Sequence, residues 1–101
     1  MFSINLFVDI FGNNNTIIND TYNLDKDALQ EALHYQSQIA GTKKRIVVIG
    51  LAESNELLMQ ELTAIIAPFQ PNETIFIKEN EHIPWERFSD ATILVKAHRN
   101  R

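Results

Sequence analysis

Asn15-Thr16-Ile17-Ile18-Asn19-Asp20-Thr21-Tyr22-Asn23-Leu24-Asp25-Lys26-Asp27-Ala28-Leu29 changes character twice within one short stretch. Asn15 to Ile18 is dominated by β-formers, Asn19 to Asn23 carries side chains that bind backbone donors and ligands, and from Asp25 the apolar residues shift to helical spacing. The stretch therefore predicts a strand, a polar turn and a helix start. In an α/β sheet such a junction is where ligands sit, because the strand's carboxyl end opens into a crevice. The next helix presents unpaired N–H groups and the positive end of its dipole there.

Upstream, Phe2, Ile4, Leu6 and Val8 alternate with Ser3, Asn5 and Phe7, and Gly12-Asn13-Asn14-Asn15 is rich in turn formers. The pattern predicts an N-terminal antiparallel β-hairpin in which the asparagines serve as turn residues that tolerate positive φ. Downstream, Ala28, Leu29, Ala32, Leu33 and Ile39 predict one apolar face of a helix from Asp25 to Ala40, with Gly41 placed to stop it. His34 and Tyr35 lie beside that stripe without partners at metal or catalytic spacing, so a boundary or surface role is expected. Gly41-Thr42-Lys43-Lys44 is no phosphate-binding loop, since it follows a helix and precedes a strand.

Arg45 to Ile49 is an apolar, β-branched run, as expected of a central strand buried on both faces and ended by Gly50. Ser54 is a candidate N-cap for a second helix with the stripe Leu57, Leu58, Leu62, Ile65, Ile66 and Phe69, closed by Pro68 and Pro71, and Met59 is read as filling core space. Thr74-Ile75-Phe76-Ile77 and Ala91-Thr92-Ile93-Leu94-Val95 predict two more strands. Between them Pro84 to Phe88 is expected to form a turn or short helix, with Trp85 and Phe88 covering the core. This alternation defines an α/β, Rossmann-like three-layer domain with a mainly parallel sheet built by crossovers. No internal repeat, linker or low-complexity tract interrupts it.

The 101 residues form one expected domain, residues 1–101, too short to hold nucleotide, substrate and lid domains together. Nine Lys and Arg against thirteen Asp and Glu give a net charge of −4, which offers no basic field for nucleic acid or an anionic membrane. The absence of cysteine removes thiolate metal sites and cysteine nucleophiles. The start lacks the basic segment of a signal peptide, and no apolar run approaches the roughly 20 residues needed to span a bilayer. A soluble, cytoplasmic protein is expected, and the abrupt stop after the last strand suggests a truncated segment.

Asn19-Asp20-Thr21-Tyr22-Asn23 followed by Asp27 resembles the signature that opens the C-terminal domain of Mur ligases. The branch that adds D-alanyl-D-alanine to UDP-N-acetylmuramoyl-tripeptide carries Asp-Ser/Thr-Tyr-Asn-Ala-Asn-Pro-Asp-Ser there. Arg45-Ile46-Val47-Val48-Ile49-Gly50 is similar to that family's strand ending in Leu-Gly-Asp, and Ile93-Leu94-Val95-Lys96-Ala97-His98-Arg99 to its Val-Leu-Val-Lys-Gly-Ser-Arg. The chain departs from the pattern at Asp25, Lys26, Ala28, Leu51 and Ala97, where the family has Asn, Pro, Ser, Asp and Gly. The branch fused to an alanine racemase accommodates Asp and non-Pro residues at such positions.

The resemblance implies the lid domain of an ATP-dependent, peptidoglycan-building ligase. In that family the central domain supplies the phosphate loop, magnesium site and modified lysine, and an acyl phosphate is attacked by the incoming amine. Expected partners are that central ATP-binding domain, the UDP-muramoyl peptide and D-alanyl-D-alanine. ATP and magnesium belong to the full-length enzyme, and neither is expected to be bound by this chain alone. Asp20 and Asn23 match positions expected to face the nucleotide, Lys96 and Arg99 match the cations of the last strand's loop, and Tyr22 and Asp27 match positions that contact ligand or brace the turn. No catalytic or metal-ligating residue is expected. A free-standing Rossmann-like binding module and an interaction domain that has lost its ligands are the alternatives, for Asn and Asp before a helix commonly cap it and Lys and Arg after a strand commonly face solvent.

Overall fold

The computed structural model describes residues 5–8, 14–20, 26–51, 55–78 and 81–97. Among them the chain runs β1 (Asn5–Val8), β2 (Thr16–Asp20), α1 (Lys26–Ala40), β3 (Lys44–Leu51), α2 (Glu56–Ile66), β4 (Glu73–Lys78) and β5 (Ala91–Ala97), with short 3-10 turns at Ala67–Phe69 and Trp85–Arg87. The strands form one sheet in the order β1-β2-β5-β3-β4. β2, β5, β3 and β4 are parallel, so the fold is the α/β, Rossmann-like class that the sequence predicts. β1 lies antiparallel to β2, pairing Val8 with Thr16, while residues 9–13, which would close the expected hairpin, are outside the described residues.

The direction of each crossover decides which face its connection covers. α1 carries the chain from β2 past β5 to β3, and α2 carries it onward to β4, so right-handed connections put both helices on one face. The return from β4 to β5 runs the other way and belongs on the opposite face. The packing follows this rule. Val47, Ile49 and Leu51 of β3 join Ile18 and Leu94 under Leu29, Ala32 and Leu33 of α1 and Leu62 and Ile66 of α2. On the far side Ile46, Val48, Ile93 and Val95 are covered by Phe88, with Ile83 and Trp85 packed against them. The third layer is thus the segment around Trp85–Arg87 and contains no α-helix among the described residues.

Several local expectations are corrected. β3 continues through Gly50 to Leu51, because Gly50 pairs with Ile77 on one side and Ala97 on the other. Asn55 caps α2, its Oδ1 accepting from the Leu58 N–H at 3.0 Å, whereas Ser54 is outside the described residues. Ile39 and Leu57 lie off the buried stripes, at 37% and 70% exposure. In α1 the inward position goes instead to Gln36, which is 1% exposed. α2 ends through Pro68 in the 3-10 turn, and its last cap is Gln70 in the left-handed region at φ 51.

Asn14 and Asn15 divide the role expected of both. Asn14 has φ 58, a conformation that Asn tolerates better than most residues. Asn15 is buried, not a turn-tip residue: its Nδ2 donates to Phe88 O at 2.9 Å and its Oδ1 accepts from Ala91 N–H at 3.0 Å. It ties the start of β2 to the start of β5. The Lys43 ammonium bonds Asn14 O at 2.9 Å, so the Gly-Thr-Lys segment serves the amino end of the sheet. Gly41 stops α1 at φ 59 as expected.

Candidate functional site at the carboxyl edge of the sheet

Parallel strands deliver their carboxyl ends to one edge, and the register specifies what meets there. Asp20 of β2 is the partner of Lys96 of β5, which on its other side partners Ile49 of β3. One step further out, Gly50 lies between Ala97 and Ile77, and Leu51 partners Lys78. α1 starts just beyond this edge with Asp27 in its first turn, and α2 starts there with Glu56 in its own, so both helix N-termini open on the same rim.

Of the residues singled out in the sequence, Asp20, Asp27 and Lys96 are among those described. Asp20 closes β2, and Asp27 is exposed on the first turn of α1. Tyr22, Asn23 and Arg99 lie outside the described residues. Lys96 is not in a loop after the last strand. It is a residue of β5, fully buried, and as the second residue after Leu94 it falls on the helix side of the sheet. Leu51, at the position where the Mur pattern has Asp, is also buried in the helix-side core.

The rim has a second part. α2 leaves β3 on one face, and the connection to β5 leaves β4 on the other. Such a divergence is the point at which α/β sheets commonly bind ligands. Lys78 is exposed at the end of β4, and Glu81 folds back so that its Oε1 accepts from Lys78 N–H at 2.6 Å. Asn19 Oδ1 and Thr92 Oγ1 are buried without a hydrogen-bond partner among the described residues. Asn19 immediately precedes the polar junction, whereas Thr92 is the second residue of β5 and is read most simply as a β-branched packing residue.

Two side chains that carry no site motif in the sequence brace the opposite, amino end of the sheet. Gln36 Nε2 donates to Ile46 O at 2.9 Å and to Thr92 O at 2.8 Å, joining α1 to two central strands. Arg45 donates to Phe69 O at 2.6 Å and Gln70 O at 3.1 Å, satisfying carbonyls where the second helix ends. A polar residue in the inward phase of an otherwise apolar helix is the signal that could have identified Gln36. Arg45 had no comparable local signal, because its partners are distant in sequence.

Among the described residues, no three His, Asp or Glu side chains cluster as a metal-binding set. His34 is exposed and packs edge-to-face on Phe69 with ring centres 4.9 Å apart, a packing contact. No described helix is long and apolar enough to cross a membrane.

Fold and rim together define an α/β domain with a polar carboxyl edge and paired helix N-termini. Comparisons with protein-family models, curated proteins and solved structures find no match.

Proposed function

We propose that this chain is the C-terminal lid domain of an ATP-dependent ligase that adds D-alanyl-D-alanine to a peptidoglycan precursor, working in the cytoplasm with a central ATP-binding domain. The observation that carries the reading is the alignment of Asp20 with Lys96 at the carboxyl edge, directly before the α1 N-terminus. Asp20, Gly50 and Lys96, one from each of the three segments similar to Mur ligases, lie at that edge. In this reading Asp20, Tyr22, Asn23 and Asp27 form the wall facing nucleotide or dipeptide and Arg99 is the cation that completes it, while Lys96, fully buried in β5, lies behind that wall. ATP and magnesium would be held by the partner domain, whose chemistry is activation of a carboxylate as its acyl phosphate. The residues present here offer hydrogen-bonding groups and helix N-termini suited to a ribose or amino-acid head group.

A free-standing interaction domain that has lost ligand binding is the second reading. It is favoured by Leu51, which is packed into the core at a position that is acidic in the Mur pattern.

One titration separates the two. ATP with magnesium added to 15N-labelled protein is expected to shift amides of residues 20–27 and 96–99 with millimolar affinity, about −4 kcal/mol, since a lid alone buries little of its ligand. No hydrolysis accompanies binding. Shifts confined to other regions, or turnover without a partner domain, would overturn the lid reading, and a complete lack of shifts would favour the interaction domain.

A further inference from the structure

β4 is an outer strand of the sheet, so one of its two edges has no strand beside it among the described residues. Soluble proteins commonly protect such an edge with a central charge, a proline or a bulge. Thr74-Ile75-Phe76-Ile77 has none of these: its pairing with β3 is uninterrupted, and the charged residues of the strand, Glu73 and Lys78, stand at its two ends. The strand is also apolar on both faces. Ile75 and Ile77 pack against the far-side core, and Phe76 packs against the core beneath the helices. Beside Phe76 lies a groove of about 450 Å³ lined by Met59, Thr63 and Ala64 of α2 and by Ala67. Its occupant must therefore offer a free strand edge and apolar side chains on both faces.

We propose that the occupant is β4 of a second copy of this chain, paired antiparallel about a two-fold axis that joins the two sheets into one. An axis normal to the sheet keeps each face continuous, and residues directly opposite in an antiparallel pair share a face. Centring it on Phe76 sets that ring against Phe76 of the second copy, Ile75 against its Ile77, and Thr74 against its Lys78. The first two contacts continue both cores across the junction. The third supplies charge complementarity. Lys78, two residues after Phe76, falls on the helix side, and α2 ends at Ile66, from where the chain passes through Ala67–Phe69 directly to the amino end of β4. No basic residue stands in the last turn of α2, whose carbonyl end carries about half a negative charge. Each Lys78 thus reaches the carbonyl end of the other copy's α2, twice by symmetry. Glu73, on the far face, is already paired with Arg87 at 2.9 Å and does not compete for it. This pairing does not rest on the proposed ligase function, because the side edge of the sheet and its carboxyl edge are different surfaces.

Sedimentation equilibrium of the whole chain, from micromolar to millimolar concentration, is expected to show a reversible monomer–dimer equilibrium. A monomer throughout would mean that a different strand-bearing partner covers the edge, and growth beyond the dimer that the contact does not close; either overturns the proposal. In a mixture of 13C-labelled and unlabelled protein, isotope-filtered NOEs are expected between labelled and unlabelled Phe76 rings and between Ile75 and Ile77. A dimer without these contacts rejects β4 as the interface. Both measurements use the wild-type protein and depend on no variant folding. Thr74→Lys, at a half-buried position, then places a cation opposite each Lys78. It should leave the circular-dichroism spectrum of the monomer unchanged and raise the dissociation constant about tenfold, since two like-charge contacts are created. Adding Lys78→Glu makes both contacts attractive and should recover part of the loss. An unchanged dissociation constant for Thr74→Lys, or a double variant that dimerises no better, would overturn the pairing.

Discussion

Gln36 Nε2 lies 2.8 Å from the carbonyl oxygen of Thr92, and its second N–H reaches Ile46 O at 2.9 Å. One side chain of α1 thus holds β5 and β3 at once. Each such hydrogen bond is worth about 1 kcal/mol net, and an amide group of this size also fills core volume. Gln36→Ala should cost about 2–4 kcal/mol in urea unfolding. Gln36→Glu should cost more, because it turns a carboxylate toward two carbonyl oxygens. Equal stability of Gln36→Glu and wild type would show that these bonds do not anchor the helix.

Ile49 is fully buried on β3 between the two neighbouring strands. Ile49→Asp is expected to unfold the domain, since burying a carboxylate costs several kcal/mol against a marginal total. Asn14→Gly, at an exposed position with φ 58, should be nearly neutral. From sequence alone Asn14→Asp reads as equally mild, but Asn14 Nδ2 donates to Asp90 Oδ1 at 2.9 Å, so the new carboxylate would face a like charge. Circular-dichroism melts should rank Asn14→Gly highest and Asn14→Asp lower, with Ile49→Asp showing no folded baseline.

Arg45 donates from both guanidinium ends to adjacent carbonyls, Phe69 O and Gln70 O. Removing these charge-assisted bonds by Arg45→Met should cost about 1.5–3 kcal/mol. Lysine reproduces the charge but not the fork, so Arg45→Lys is expected to recover only part of the loss in the same denaturation experiment.

Gln70 caps the 3-10 turn at φ 51, a conformation that glycine adopts without the Cβ penalty. Gln70→Gly should therefore stabilise by up to about 1 kcal/mol, the relief being offset in part by glycine's larger unfolded-state entropy. A clear fall in melting temperature would mean that the glutamine side chain contributes more than its backbone conformation costs.

The elements are legible in the sequence because their periods differ. Ile46 to Ile49 read as a doubly buried strand, and Leu29, Ala32 and Leu33 read as a helix face, since burial of those side chains drives their packing. Trp85 and Phe88 are likewise recognisable as covering groups. What local pattern misses are interactions whose partners are far apart in sequence: Asn15 with Phe88 and Ala91, Gln36 with Thr92, and Arg45 with Phe69. Spacing along the chain carries no information about them. Lys96 stands out in the sequence as a candidate site residue but reads as part of a loop, because pattern stops a strand at its last apolar residue. Hydrogen bonding to two neighbours carries β5 on to Ala97.

β5, the last of the described strands, lies between β2 and β3. During synthesis the earlier strands therefore wait with two vacant edges facing one another until residues 91–97 leave the ribosome. Completion of the sheet is an insertion, not an extension. A nascent chain released or halted before that point would expose both edges to pairing with other chains, making the last strand the step at which this protein either closes its sheet or aggregates.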